Sequence, residues 1–145
     1  MSSTSGERVL IVEDDPAQRT GLTQLVTGWG FAVSNAPDGE AAGRVTVSER
    51  LCQPYGVVHG GVYASLAETI TSRATWQAVR DEGMIAMGQS NQATFLRPVS
   101  SGHVTARARV RQRGRTTWIW DVELHDDDER LCALVRMTIA VRRAR

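Results

Sequence analysis

A chain of 145 residues suffices for one domain burying about two thirds of its unfolded surface. With 41% hydrophobic and 23% charged residues it reads as an ordinary soluble globular protein, and a net charge of +1 argues against a dedicated nucleic-acid binder. No apolar run approaches the ~20 residues that span a bilayer and the amino terminus lacks a signal-peptide core, so a cytoplasmic protein without membrane attachment is expected.

In chain order, Val9 to Val12 reads as an edge strand or a mobile arm, and Asp15-Pro16 as the cap and first residue of a helix through Leu25-Val26. Gly30 to Val47 fits two strands around a turn at Pro37-Asp38-Gly39. A helix follows from Gly61 to Val79, with Val62, Leu66, Ile70, Ala74 and Ala78 as its apolar stripe. After the turn Asp81-Glu82-Gly83, Met84 to Val99 is a strand pair or one long bent strand. Three alternating strands then carry Val104 to Val110, Trp118 to Leu124 and Leu131 to Val141, an antiparallel meander with the acidic turn Asp126-Asp127-Asp128-Glu129 before its last member. One long helix against such a sheet is an α+β arrangement.

The chemistry concentrates in Gln53-Pro54-Tyr55-Gly56-Val57-Val58-His59-Gly60-Gly61. A His-Gly-Gly turn at a helix start leaves backbone N–H groups free where the helix dipole favours negative charge, which suits a carbonyl oxygen becoming an oxyanion. Nine residues after His59, Glu68 stands in an otherwise apolar helix, with Ser72 on the same stripe one turn later. The bland alternative is a solvated Glu68 or one paired with Arg73. A polarised carbonyl beside a carboxylate points instead to acyl-group hydrolysis. His59 reads as a structural hydrogen-bonding residue, and His103 and His125 as solvated. Three scattered histidines and the unpaired Cys52 and Cys132 suggest neither metal nor disulfide.

From about residue 20 onward the chain resembles the hotdog-fold thioesterases, nearest to the 4-hydroxybenzoyl-CoA and enterobactin-type proofreading group, with the phenylacetate-pathway thioesterases as cousins. The resemblance rests on Gln53-Pro54, Gly56 to Gly61, Leu66-Ala67-Glu68, Asn91 to Val99, Ser101-Gly102, Gly114-Arg115 and Arg130 to Ala133. It implies a curved antiparallel sheet wrapped around one long central helix, occupying residues 20–145, with residues 1–19 as an arm. It also implies a dimer, or a dimer of dimers, whose active sites lie between subunits.

Carried over position by position, the Gly60 amide would hold the thioester carbonyl and Gln53 would polarise or position it. Glu68 of the other subunit would act as nucleophile or general base, Ser72 would hold the water or the carboxylate, and His59 would steady the loop and contact substrate. Either role for Glu68 needs an ionised carboxylate, so activity is expected to fall at acid pH. Gly61, Arg97, Ser101, Gly102, Arg113, Gly114 and Arg115 are the expected substrate-binding positions. The arginines would face coenzyme A or phosphopantetheine phosphates, which enter only as part of the substrate, and affinity would then weaken with salt. No separate cofactor is expected. Trp76, Trp118 and Trp120 would be core rather than acyl pocket.

The amino end carries a second resemblance. Arg8 to Pro16, Gly30-Phe31 and Asp38-Gly39-Glu40 are similar to the start of a response-regulator receiver domain, spanning residues 8–43. No aspartate occurs between Gly39 and Arg80, where the phosphorylated residue would lie, so the piece reads as a fragment. Three functions are weighed: an acyl- or aryl-CoA thioesterase, a proofreading thioesterase on acyl groups held by a carrier protein, and a non-catalytic acyl-CoA-binding module. The last is disfavoured by the joint presence of Gln53, Gly60, Glu68 and Ser72.

Overall fold

Period-2 alternation carries residues 31–34, 40–46 and the strands within 84–143 into one sheet, and the helical stretch between them lies on its inner face. The computed structural model describes residues 30–34 and 38–144. Its elements are β1 (Phe31–Ser34), β2 (Glu40–Thr46), a 3-10 turn (Glu49–Leu51), α1 (Gly60–Val79), a second 3-10 turn (Arg80–Glu82), β3 (Met84–Phe95), β4 (His103–Arg113), β5 (Thr117–His125) and β6 (Leu131–Arg143). The strand order is β1-β2-β4-β5-β6-β3, antiparallel throughout. The expected meander is β4-β5-β6. The two strands that flank α1 in sequence, β2 and β3, add to opposite sides of that meander, so the chain crosses the whole sheet by way of the helix. This curled sheet around one long helix is the hotdog arrangement. The 1–19 arm, the receiver-like stretch Arg8–Pro16, the helix through Leu25-Val26 and the last residue, Arg145, lie outside the described residues. Gly30-Phe31 and Asp38 to Gly43 belong to the sheet's first turn and strands.

The helix meets the sheet through Val62, Tyr63, Leu66, Ala67, Ile70, Thr71, Thr75 and Val79, all buried. Each large aliphatic chain so placed stabilises the fold by about 1.5–3 kcal/mol before entropy is counted. Ala78, expected on this stripe, is exposed. Four residues turn a helix by about 400°, so a strict i+4 row drifts about 40° per step, and the buried face passes to Thr71, Thr75 and Val79. The two buried threonines are satisfied: Thr71 Oγ1 donates to Ala67 O at 2.8 Å and Thr75 Oγ1 to Thr71 O at 2.8 Å. Thr75 Oγ1 in turn accepts from Trp120 Nε1 at 2.9 Å, which anchors α1 to β5. Trp118 and Trp120 are core, as expected, and Trp76 is half-buried beneath the Arg80 guanidinium. Gly43 of β2 brings the helix close, since a Cβ there would stand 2.6 Å from Ile70.

Met84 to Phe95 is one strand, bent by an irregularity between Gly88 and Ser90. The extra residue reverses the alternation. Met84 and Ala86 before it and Ala93 after it all pack on the core, although even and odd positions would otherwise face opposite ways. That reversal explains why the sequence pattern left two readings of this stretch.

The outer face of the sheet carries charge in pairs. Arg107 meets Glu129, Arg109 meets Glu40, and Arg111 and Arg136 share Asp121. The row Arg107, Arg109 and Arg111 along β4 is therefore a paired, solvated face. His103, rather than being simply solvated, pairs with Asp127 at 3.1 Å. The imidazole of His125 is largely buried, 3.6 Å from Glu123.

Candidate active site

The loop before α1 is held on both sides. Cys52 and Val58 form an isolated antiparallel bridge, Gln53 N–H donates to Val57 O at 2.8 Å, and Gly56 N–H to Gln53 O at 2.9 Å. Gly56 sits at φ +83°, a backbone that favours glycine. Val58 N–H reaches Val99 O and His59 N–H reaches Leu51 O, both at 2.8 Å. The Gln53 side-chain oxygen accepts from Tyr55 OH, leaving its amide hydrogens for a ligand.

His59 is the N-cap of α1. Its backbone is extended (φ −65°, ψ 135°) and its Nδ1 accepts from Gly61 N–H at 3.0 Å. That bond puts the proton of a neutral ring on Nε2 and gives the residue the structural role expected of it. Val62 N–H bonds His59 O at 2.9 Å. The Gly60 N–H is thus left as the donor without an acceptor among the described residues, at the positive end of a 20-residue helix. The Phe95 ring covers Gly60, so a Cβ at residue 60 would fall 2.8 Å from its tip. Phe95 is 55% exposed and lies 5.8 Å from the Tyr63 ring, tilted against it. Burial pushes the Tyr63 phenol up to about 12.

Glu68 lies further along the helix on its exposed side, against Gly88 of β3. One turn on, Ser72 is half-buried, and its Oγ is buried without a hydrogen-bond partner among the described residues. Eight residues separate Gly60 from Glu68, about 12 Å of helix, so one chain does not bring this amide and this carboxylate to the same carbonyl. Asn91 Nδ2 donates to Ala64 O at 2.9 Å and ties β3 to the helix between them.

The expected substrate-binding residues fall at two ends of the sheet. Arg97, Ser101 and Gly102 lie at the end where β3 finishes and β4 begins, with Gly60; the Arg97 and Leu96 amides both donate to Cys132 O. Gly102 takes φ +76° against the Asp127 carboxylate. Gly61 is exposed, but its amide is spent on His59. Gly114 and Arg115 turn from β4 into β5 at the opposite end, with Gly114 N–H bonded to Thr117 O at 2.9 Å. Arg115 is exposed there. Arg113 is committed elsewhere: both its Nη atoms bond Asp38, and its guanidinium lies 4.8 Å over the Trp118 ring. Among the described residues, no group of three or more His, Cys, Asp or Glu is placed to hold a metal, and no helix is long and apolar enough to cross a membrane.

Comparison with known proteins decides the family. A family profile described as "Thioesterase superfamily" matches residues 55–133. The chain belongs to the thioesterase superfamily. This thioesterase is 35% identical over 117 residues to the proofreading thioesterase EntH of Klebsiella pneumoniae, covering 81% of this chain and 85% of the relative. It is 31% identical over 116 residues to a 1,4-dihydroxy-2-naphthoyl-CoA hydrolase of Listeria monocytogenes, covering 80% and 94%. A crystal structure of a thioesterase from Haemophilus influenzae superposes with a TM-score of 0.80 at 32% identity, covering 94% of each chain. Family, fold and reaction class agree: the chain is a hotdog-fold thioester hydrolase.

Three contributors escaped the sequence reading. Tyr55 holds Gln53, Phe95 roofs Gly60, and Gly88 underlies Glu68. Gly88 alone left a signal, a glycine inside a strand pattern, which marks a bulge or a close approach.

Proposed function

We propose that this thioesterase hydrolyses acyl- or aryl-CoA thioesters at a site made by two copies of the chain. The observation that carries the proposal is the Gly60 N–H at the start of α1, unpaired among the described residues, combined with a Glu68 that its own helix holds about 12 Å away. A carbonyl oxygen bound at Gly60 of one protomer then meets Glu68 of its partner. β3 supports such pairing. It is a twelve-residue edge strand with one side unpaired among the described residues, and it carries the exposed Met87 and Phe95.

In the general-base route, Glu68 takes a proton from water as the water oxygen adds to the thioester carbon. The oxyanion that forms rests on the Gly60 amide and the positive helix end. Collapse breaks the C–S bond, and the proton held by Glu68 leaves with the thiolate as a free thiol. In the nucleophilic route, the carboxylate itself adds and the thiolate departs; water then cleaves the acyl-glutamyl anhydride, and the proton this releases converts the thiolate to the free thiol. Gln53 Nε2 is free to orient the carbonyl, and the buried Ser72 hydroxyl is free to hold the water. Arg97, with Ser101 and Gly102 beside it, stands at the Gly60 end; Arg115, on the Gly114 turn, offers a second guanidinium for phosphate at the other.

The reading with a carrier protein as acyl donor keeps this chemistry and changes the partner, and its support is the proofreading thioesterase among the relatives. A thiol-release assay over benzoyl-, phenylacetyl- and medium-chain acyl-CoA, with an acyl carrier protein thioester alongside, separates the two. Turnover on the CoA series, reduced about 10²- to 10⁴-fold by Glu68→Gln in a folded protein, is the expected result. A fully active Glu68→Gln protein overturns the assignment, and turnover on the carrier alone transfers it to the second reading.

A further inference from the structure

We propose that Gly88 is a positioning residue for the catalytic carboxylate, an inference that rests on the role of Glu68 proposed above. The bare Cα of Gly88 is the floor on which the Glu68 side chain lies. A Cβ added there would stand 2.9 Å from the Glu68 carboxyl carbon and 3.3 Å from its Cγ, and closer still to Oε1. Gly88 is not among the glycines held at positive φ, so the backbone accepts alanine and only the space above it does not. The irregularity between Gly88 and Ser90 begins at this residue. Bulges of this kind re-aim side chains beside active sites, and a glycine within a strand marks close approach by another group.

The floor faces one flexible side chain. Glu68 is exposed, and its far end can swing aside, so a methyl group at residue 88 displaces the carboxylate rather than the strand. The groups proposed to hold the acyl oxygen and the phosphates, the Gly60 amide and Arg97, stand elsewhere. Substrate binding therefore survives the change, and the reacting geometry does not. A displacement of about 1 Å in a reacting group costs on the order of 100-fold in rate.

The test is a mutant cycle on the full-length chain, with benzoyl-CoA as the probe, reading kcat and KM separately beside melting temperature and oligomeric state. Gly88→Ala is expected to lower kcat about 30- to 100-fold with KM within about twofold and melting temperature unchanged. Glu68→Asp draws the carboxylate back by one methylene. In that background the carboxyl carbon takes the place of Cγ, 3.3 Å from the added Cβ instead of 2.9 Å, so Gly88→Ala should cost several-fold less than in the parent. Equal losses in both backgrounds, or a fully active Gly88→Ala protein, overturn the proposal. So does a Gly88→Ala chain that fails to fold even with Glu68→Ala, since the glycine would then serve the strand. Glu68→Gln separates the two levels. If it is inactive while Gly88→Ala is fully active, Glu68 keeps its role and only Gly88 loses its own; if it is fully active, the parent assignment fails whatever Gly88 does.

Discussion

At the start of α1 three successive amides have different fates. Gly61 N–H goes to the His59 ring, Val62 N–H to the His59 carbonyl, and Gly60 N–H has no acceptor among the described residues. His59→Ala removes the cap and should cost about 1 kcal/mol, lowering the melting temperature by a few degrees. Thermal unfolding checks this, and an unchanged midpoint would show that the bond contributes nothing. Gly60→Pro is the sharper substitution. Gly60 is the first helical residue, where proline lacks nothing the helix needs, and His59 already has the extended backbone that precedes proline without strain. The ring would meet Phe95, so the comparison belongs in a Phe95→Ala background. There Gly60→Pro should lower kcat about 10²- to 10³-fold with the helical circular-dichroism signal intact. Full activity would show that the oxyanion has another donor.

Among the elements, two hold the rest in place. The turn between β5 and β6 is organised by Asp126, which accepts from the Asp128 and Arg130 amides at 3.0 and 2.9 Å and from Arg130 Nε at 2.8 Å. Burial alone would raise its pKa; the Arg130 amide and guanidinium, with the Asp128 amide, outweigh that and hold it below the ordinary 3.8. A carboxyl depressed on folding stabilises the folded state above its unfolded value, and that stability is lost as pH falls through the folded one. Asp38 and Glu129 are lowered by their bonds to Arg113 and Arg107 and act with the same sign, though as exposed pairs they are screened by salt. The melting temperature should therefore fall below about pH 4, and Asp126→Asn should flatten that fall. Identical acid limbs in variant and parent would rule this out. On the helix side, Thr75→Val leaves the buried Trp120 N–H without its acceptor and should destabilise by about 1–3 kcal/mol, whereas Thr75→Ser restores most of the loss. Chemical denaturation reads both.

For the molecule as a whole, the shared site proposed above would make activity a property of the pair of chains, since Gly60 and Glu68 lie about 12 Å apart along one helix. In a two-fold dimer each site takes Gly60 from one chain and Glu68 from the other. With Phe95→Ala in both chains, a mixed dimer of Glu68→Gln and Gly60→Pro then carries both lesions in one site and neither in the other. Co-expression in equal amounts makes half the dimers mixed, each with one of its two sites intact, so about a quarter of parental activity should return from two inactive parents. Mixtures as inactive as their components would place both groups in one chain and end the shared-site reading.

Residue types and local periods determined the meander and the helix with its glycine start, because caps, alternation and turn chemistry act over a few residues; the proposed roles of Gln53, Gly60, Glu68 and Ser72 rest on the family resemblance as well. Sequence also left Met84 to Val99 ambiguous and put Ala78 on the wrong face, since a single bulged residue and a slow helical drift each reverse which side is buried. Only the tertiary structure decided that Arg113 belongs to Asp38, that the expected phosphate-facing residues stand at opposite ends of the sheet, and that Phe95 and Gly88 lie against Gly60 and Glu68. Those contacts join residues 20 to 75 positions apart, and their existence depends on how the helix lies across the strands, which no local pattern encodes.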